Sequence, residues 1–479
     1  MADEKKKAHA IMISMPYQGH INPFVALALN LASKGITITF VHLQHVHNKL
    51  SNNQTQLDLF SDARESGLDI RYATITDGFP ADYDRDAHPN EYWTALLQRF
   101  PAHVDEFVGK MIHSDPLSLH FLVADTVYVW PAAVARKYNL VNVAFWTSPA
   151  LVFSLLYHLE LLIEKGHLFF EGDEAEINYV PGVGSIRIKD LMSSLTKPQD
   201  ITGEDLFKTF EEVKKADFIL HNTVEELESD TLSALNKYQP NYSIGPIDFS
   251  TANTVAVSTS LHAGEDITKW LDSKPAASVL YVSFGSVVQT SKQVIQEIAH
   301  GLLLSEVNFI WVVRAHITVS EEATVLPPGF EEEVKDRGLI VPWCDQINVL
   351  SSPAVGGFLT HCGWNSIVES MWCGVPMICF PVTYDQPTNR KLVVDDWGIG
   401  ANLCDEAAVD REGVAQKIRG FMSGGGSERL RREADKVKQI VRNAIQSGGS
   451  SNRNFDNFMV DLEKKLGSLC FQVQAKQLL

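Results

Sequence analysis

Residues 8 to 41 read AHAIMISMPYQGHINPFVALALNLASKGITITFV. Ala8 to Met15 is an apolar run of strand length, and Pro16 to His20 reads as a polar loop. Asn22 and Pro23 supply an N-cap and a first-turn proline, so the spacing predicts a helix from there. Phe24, Leu27, Ala28 and Leu31 recur at i, i+3, i+4 and i+7, one face of an α-helix. Gly35 suits the helix C-terminus and Ile36 to Val41 is a β-branched run. Strand, helix and strand in this order form a βαβ unit, which requires a parallel sheet with a right-handed crossover.

The same grammar returns downstream. Ser278 to Ser283 reads as strand, Phe284 to Gln289 as loop, Ser291 to Leu304 as helix and Asn308 to Val313 as strand. A chain of 479 residues exceeds what one hydrophobic core serves, so two α/β domains facing a cleft are expected. The Ser/Thr/Ala/Asn-rich stretch from Phe249 to Ser260 lacks periodicity and reads as linker. The expected division is residues 1–247, a linker at 248–262, residues 263–455, and a C-terminal helix and tail at 456–479 packing back on the first domain. Gly424 to Gly426 and Ser447 to Ser451 read as loop tips.

Composition narrows the partners. A net charge of -18 repels nucleic acid and anionic lipid, and the one basic run, Lys5 to Lys7, sits in a polar tail. The apolar segment after it is too short for a signal-peptide core or a membrane span. The apolar region from Phe121 to Ile163 is broken by Asp125, Pro131, Arg136, Lys137 and Pro149. A cytoplasmic protein is expected. All six cysteines lie in the C-terminal third with no Cys-x-x-Cys pair, which reads as reduced thiols packed as small hydrophobes.

The chemistry concentrates between Trp343 and Gln386. Phe358 to Thr360 is a strand end, Gly363 interrupts it, and Asn365 and Ser366 stand where a helix begins. Such a helix start offers free N–H groups and a positive dipole end to a phosphate even in an acidic protein. Glu369 lies one turn along the same face, where its carboxylate can accept from a ribose diol. Trp343 can stack on a base, and Gln346 carries a donor and an acceptor for its edge. Asp385 and Gln386 follow a strand ending at Pro381, at the carboxyl end of a parallel sheet where ligands collect. Taken singly, each is as readily a core tryptophan, a surface carboxylate or a loop polar pair.

Together, Trp343, Gln346, His361, Cys362, Gly363, Trp364, Asn365, Ser366, Glu369, Gly374, Pro376, Asp385 and Gln386 resemble the signature box of plant family-one UDP-dependent glycosyltransferases. The likeness extends to Gly19-His20-Ile21-Asn22-Pro23, Asn222-Thr223, Trp270-Leu271-Asp272, Ser283-Phe284-Gly285-Ser286 and Trp311-Val312-Val313-Arg314. Cys344-Asp345 departs from the usual Ala-Pro, as does Ser352 from a frequent histidine. The resemblance implies a GT-B fold, two Rossmann-like parallel-sheet domains across a cleft, with UDP-glucose as donor and no metal or other cofactor. It implies a tryptophan on uracil (Trp343, beside Cys344 and Gln346) and a glutamate on ribose (Glu369). His361, Gly363, Trp364, Asn365 and Ser366 fall to the diphosphate turn, Gly285 and Ser286 to departing UDP, Asp385 and Gln386 to the sugar hydroxyls, and Thr147 to the sugar and its phosphate.

Transfer to an alcohol needs a base, because a hydroxyl is a weak nucleophile at neutral pH. Among 16 histidines, His20 stands out by its Gly-His-x-x-Pro context, and Asp125 after an apolar strand fits the carboxylate that orients it. The resemblance gives the same assignment, with direct inverting displacement and a β-glycoside product. His42, His45 and His47 form a rival cluster with metal-like spacing but no accompanying carboxylate motif. Gln386 and Trp364 bias the donor to UDP-glucose. Tyr17, Trp93, Trp146 and Tyr384 are candidate walls for a flat, hydroxyl-bearing phenolic or terpenoid acceptor. A monomer is expected. The alternatives are C-glycosylation on the same fold and a non-catalytic sugar-nucleotide or small-ligand binder. An oxidoreductase is disfavoured by the missing Gly-x-Gly-x-x-Gly, and a hydrolase by the missing Gly-x-Ser-x-Gly.

Overall fold

The computed structural model describes residues 7–53, 59–85, 87–168, 175–196, 202–249, 267–314, 317–318, 325–404, 409–423 and 425–477. The expected linker, 248–262, lies outside the described residues from 250 onward. Strands β1 (Ala8–Ile13), β2 (Thr37–Leu43), β3 (Ile70–Ile75), β4 (Leu119–Asp125) and β5 (Val141–Trp146) come first. A short antiparallel pair, β6 (Glu176–Ile177) and β7 (Ile186–Arg187), precedes β8 (Phe218–His221) and β9 (Asn241–Ser243). The second half contributes β10 (Val279–Ser283), β11 (Asn308–Val312), β12 (Gly338–Val341), β13 (Val355–Thr360), β14 (Met377–Cys379) and β15 (Gly400–Asn402).

The first sheet runs β3-β2-β1-β4-β5-β8-β9 and the second β12-β11-β10-β13-β14-β15. All pairings within both sheets are parallel. Each sheet is a Rossmann-like doubly wound unit, and together they are the GT-B architecture. The strands are apolar almost throughout, as sheets covered on both faces must be. One apolar cluster is continuous between the two units, joining Phe153 and Ile186 to Phe358, Trp364 and Met371.

The Ser450–Gln477 helix packs on the first unit, where Phe455, Phe458, Leu462 and Leu466 complete the core that includes β1, β4 and Phe218. Lys34 to Asp456 (2.7 Å) and Lys465 to Asp217 (2.8 Å) flank that seam. Among the described residues no helix is long and apolar enough to cross a membrane. Cys344, Cys362, Cys373, Cys379 and Cys404 are free thiols.

Three boundaries differ from expectation, one being the C-terminal helix, which begins at Ser450 rather than at 456 and takes Ser450 and Ser451 out of the expected loop tip. The first helix spans Gln18–Ser33, so it starts ahead of Asn22 and carries Pro23 in its interior. Pro23 has no N–H for the carbonyl four residues back, that of Gly19. That carbonyl accepts instead from Asn365 Nδ2 at 3.0 Å, which is why the proline is tolerated there. Gly425 and Gly426 open the Gly425–Ala444 helix rather than a loop tip, a place where N–H groups need no intrahelical partner. The helix expected from Ser291 is confirmed over Lys292–Ser305, with Ser291 Oγ accepting from Val294 N at 3.2 Å.

Candidate active site

Strand order reverses between β1 and β4 in the first sheet and between β10 and β13 in the second. Such switch points open a crevice at the carboxyl ends of the strands, where ligands bind. The sequence places chemistry at both: His20 follows β1, Asp125 ends β4, Gly285 follows β10 and His361 follows β13.

At the first switch point His20 Nδ1 lies 2.7 Å from Asp125 Oδ2. A carboxylate here can only accept, so Nδ1 carries the proton and Nε2 holds the free lone pair. Asp125 is buried and held by two backbone donors, Met15 N at 3.3 Å and Val127 N at 3.1 Å. Thr147 Oγ1 stands 3.2 Å from His20 Nδ1. Burial, the largest effect on the His20 ring, disfavours its charged form. The charge and hydrogen bond of Asp125 and the charge of Asp385 outweigh it, leaving the pKa above the usual histidine value.

At the second switch point the ring of His361 is wedged between two glycines. A Cβ at Gly285 or at Gly363 would lie 2.4 Å from His361 Nε2, so neither position admits a side chain without moving the ring. Gly285 also sits at φ 71°, a conformation glycine adopts freely. Burial, with the charge of Arg314, lowers His361 to about 4, so it is neutral at pH 7. Gly363 precedes the Trp364–Cys373 helix with no side-chain cap, leaving that helix's first N–H groups available to an anion.

Along this helix Gln346 Nε2 reaches both Ser366 Oγ (2.9 Å) and Glu369 Oε2 (2.7 Å), while Tyr281 donates to Gln346 Oε1 (3.2 Å). Gln346, Ser366 and Glu369 thus form one bonded patch, and Trp343, three residues before Gln346, is half-buried. Asp345, in place of the proline the resemblance leads one to expect, caps the Gln346–Ser351 helix by accepting from Asn348 N at 3.2 Å. Burial pushes Glu369 up to about 8, against the Gln346 hydrogen bond and with the charges of Asp248 and Asp345. Cys344 is buried beside Tyr281, its Sγ 3.7 Å from the hydroxyl, and Ser286 is half-buried.

Asp385 accepts from Asn389 Nδ2 at 2.9 Å. Its pKa is raised, mainly by burial. Gln386 Oε1 takes Val382 N (2.9 Å) and Thr383 N (3.0 Å), which leaves its amide NH₂ as the group with hydrogens to give. The Trp364 indole donates to Asn222 O at 2.8 Å across the cleft, so what this residue offers at the helix start is its backbone N–H.

The two units meet through further bonds that the sequence did not reveal. Ser193 exchanges hydrogen bonds with the Tyr384 backbone, Oγ accepting from Tyr384 N and its own N–H donating to Tyr384 O, each at 2.8 Å. They hold Tyr384 at φ 58°, a strained conformation for a tyrosine, and the residue is 48% exposed. Thr388 donates to Asp190 O at 2.7 Å and Arg390 pairs with the Asp190 carboxylate. Glu228, fully inside, accepts from Ala150 N (3.0 Å) and Leu151 N (2.8 Å) and so anchors the helix after Thr147.

Tyr17 lies at the N-cap of the first helix with its ring centroid 6.5 Å from that of His20, and Trp93 is half-buried on the Pro89–Gln98 helix. Trp146 does not fit a cleft wall. It is buried against Phe153 and Phe210, and its indole N–H is taken by Pro149 O at 2.8 Å. Nor do His42, His45 and His47 converge. His45 pairs with Asp77 (3.1 Å), His47 Nδ1 lies 3.0 Å from the Tyr72 hydroxyl, and His42 is buried beside Phe40.

Residues 208–422 match the protein family described as UDP-glucoronosyl and UDP-glucosyl transferase. Over 473 residues the chain is 48% identical to UDP-glycosyltransferase 86A1 of Arabidopsis thaliana, spanning 97% of this chain and 96% of that one. It is 35% identical over 484 residues to 7-deoxyloganetin glucosyltransferase of Gardenia jasminoides, spanning 96% and 98%. Among solved structures, UGT71G1 of Medicago truncatula complexed with UDP-glucose is similar with a TM-score of 0.81 and 26% identity, covering 96% of this chain and all of that one.

Proposed function

The chain belongs to the plant family-one UDP-glycosyltransferases, and on that premise we propose that it transfers glucose from UDP-glucose, with inversion, to a hydroxyl of a small apolar acceptor. The observation that carries this reading is the His20–Asp125 pair at 2.7 Å, tied through Gly19 to Asn365 at the anion-ready helix start. His20 Nε2 takes the proton of the acceptor hydroxyl as its oxygen attacks C1 of the α-linked sugar. The bond from C1 to the UDP oxygen breaks, and the electron pair leaves with UDP. Asp125 stabilises the imidazolium, and the N–H groups after Gly363, with Asn365 and Ser366, receive the charge on the diphosphate.

Trp343 stacks on uracil and Glu369 accepts from the ribose diol. His361 with Gly285 and Ser286 lines the diphosphate, and Asp385 and Gln386 hold the sugar hydroxyls beside Thr147. No metal enters this mechanism. Tyr17, Trp93 and Tyr384 remain as acceptor-wall residues. The name of the Gardenia relative, a glucosyltransferase of 7-deoxyloganetin, supports a small organic acceptor.

Mass spectrometry and proton NMR of the products from UDP-glucose and a panel of phenols and terpenoid alcohols test the proposal. A hexose adduct with a β-anomeric coupling is expected. An α-glucoside, a carbon-linked sugar, or binding of UDP without turnover on any acceptor would each overturn it.

A further inference from the structure

The end of the first sheet opposite the cleft holds three groups that glycosyl transfer does not use. His9 lies near the start of β1 and His120 stands in register beside it on β4, whereas His20 and Asp125 belong to the other ends of these strands. The two rings are 4.9 Å apart and both are buried, at 0% and 8% exposure. Asp115, just ahead of β4, places Oδ2 3.8 Å from His9 Nδ1. One nitrogen or oxygen from each of His9, Asp115 and His120 lies within 4.8 Å of the others.

A hydrogen bond on the outer side of each ring holds it in place. His120 Nε2 lies 2.6 Å from Asp115 O, a carbonyl that can only accept, so Nε2 carries a proton and Nδ1 is the nitrogen left to face a ligand. His9 Nε2 is bonded to Thr39 Oγ1 at 2.7 Å, which holds that ring by its outer nitrogen. Neither Nδ1 has a hydrogen-bond partner, although both are buried. A buried polar atom left unpaired is costly. An imidazole fixed through one nitrogen by a carbonyl or hydroxyl, its other nitrogen bare and a carboxylate alongside, is how proteins support a metal-binding histidine.

We infer that His9, His120 and Asp115 form a binding site for one divalent cation of the zinc type, with water completing the coordination where Asp115 reaches solvent. Two imidazoles and one carboxylate suit zinc, whereas magnesium favours an all-oxygen shell. The Arg71 guanidinium, 3.8 Å from Asp115 Oδ2 and half exposed, competes with the cation for that carboxylate. Bound there, the cation clamps β1 to β4 far from the transfer site and acts on stability rather than on chemistry.

The test is calorimetric titration of the purified, chelator-stripped full chain with Zn²⁺, with thermal unfolding followed in parallel. One Zn²⁺ per chain and a rise in Tm are expected, with no response to Mg²⁺. His120→Gln and Asp115→Asn should each weaken binding by more than about tenfold, and Thr39→Val, which removes the outer hydrogen bond to His9, by about 10- to 100-fold. Arg71→Gln should tighten it. Absence of a saturable site in the wild-type chain overturns the inference, and so does unchanged affinity in both His120→Gln and Asp115→Asn. Should those variants fail to fold, Co²⁺ in the wild-type chain decides. An intense visible band of four-coordinate geometry, displaced by one equivalent of Zn²⁺, supports the site, and a weak octahedral spectrum overturns it.

Discussion

With Nδ1 bonded to Asp125 and Thr147 close by, the His20 ring has one nitrogen left for chemistry, and in the proposed mechanism its basicity sets the pH range of transfer. Only neutral His20 can accept a proton. Because its pKa is raised, kcat/KM should fall on acidification through a value above about 6.5. In Asp125→Asn the charge that raises it is gone while burial remains, so the acid limb should move to lower pH as kcat drops by roughly 10⁴-fold. A pH–rate profile whose acid limb stays in place would show that Asp125 does not set it. The same shift stabilises the fold below pH of about 6.5, and that contribution is lost as pH rises through the raised pKa.

Glu369 offers a second titration. Held up to about 8, it is largely protonated in the free protein at pH 7, whereas a ribose diol donates best to the ionised form. UDP binding at pH 7 should therefore release up to about one proton per site, visible as a dependence of calorimetric heat on buffer ionisation, and Glu369→Gln should abolish it. Equal release in that variant would point to another group. At this scale the sequence was informative where a residue's role rests on local context. It misled at Trp146, because which face of a strand end meets the core depends on helices distant in sequence.

Among the elements, the first helix is the instructive one. Its apolar periodicity was legible, but Pro23 next to Asn22 looked like a helix start and instead stands inside a helix that begins at Gln18. The missing N–H frees Gly19 O for Asn365, a partner from the other unit, and no local pattern could have announced that bond. Pro23→Ala supplies an N–H that competes for Gly19 O. UDP-glucose turnover should fall with little change in UDP affinity, since the affected contact lies between the base helix and the helix start rather than on the nucleotide. An unchanged kcat would show that the bond does not position the two units.

Over the whole molecule, two parallel sheets were readable from repeated βαβ grammar, and Gly285, His361 and Gly363, expected on the donor side, meet at the β10/β13 switch point. What stayed hidden were the long-range links between units, such as Ser193 to Tyr384, Trp364 to Asn222 and Asp190 to Arg390. The proposed acceptor walls belong to the same class, being set by packing rather than spacing. The C-terminal helix is part of the first unit's core. Phe458, fully buried and edge-on to Phe218 and Tyr242, should cost about 3–5 kcal/mol on replacement by alanine, read from denaturant unfolding of Phe458→Ala. A loss below about 1 kcal/mol would mean that the helix is not integral to that core.

In the proposed mechanism His20 in the first unit is the base for chemistry on a donor held by the second. The single-turnover rate of sugar transfer in His20→Ala, measured alongside UDP affinity, addresses it. A rate lower by about 10²- to 10⁴-fold with UDP binding nearly unchanged is expected, whereas wild-type transfer in that variant would rule out His20 as the base.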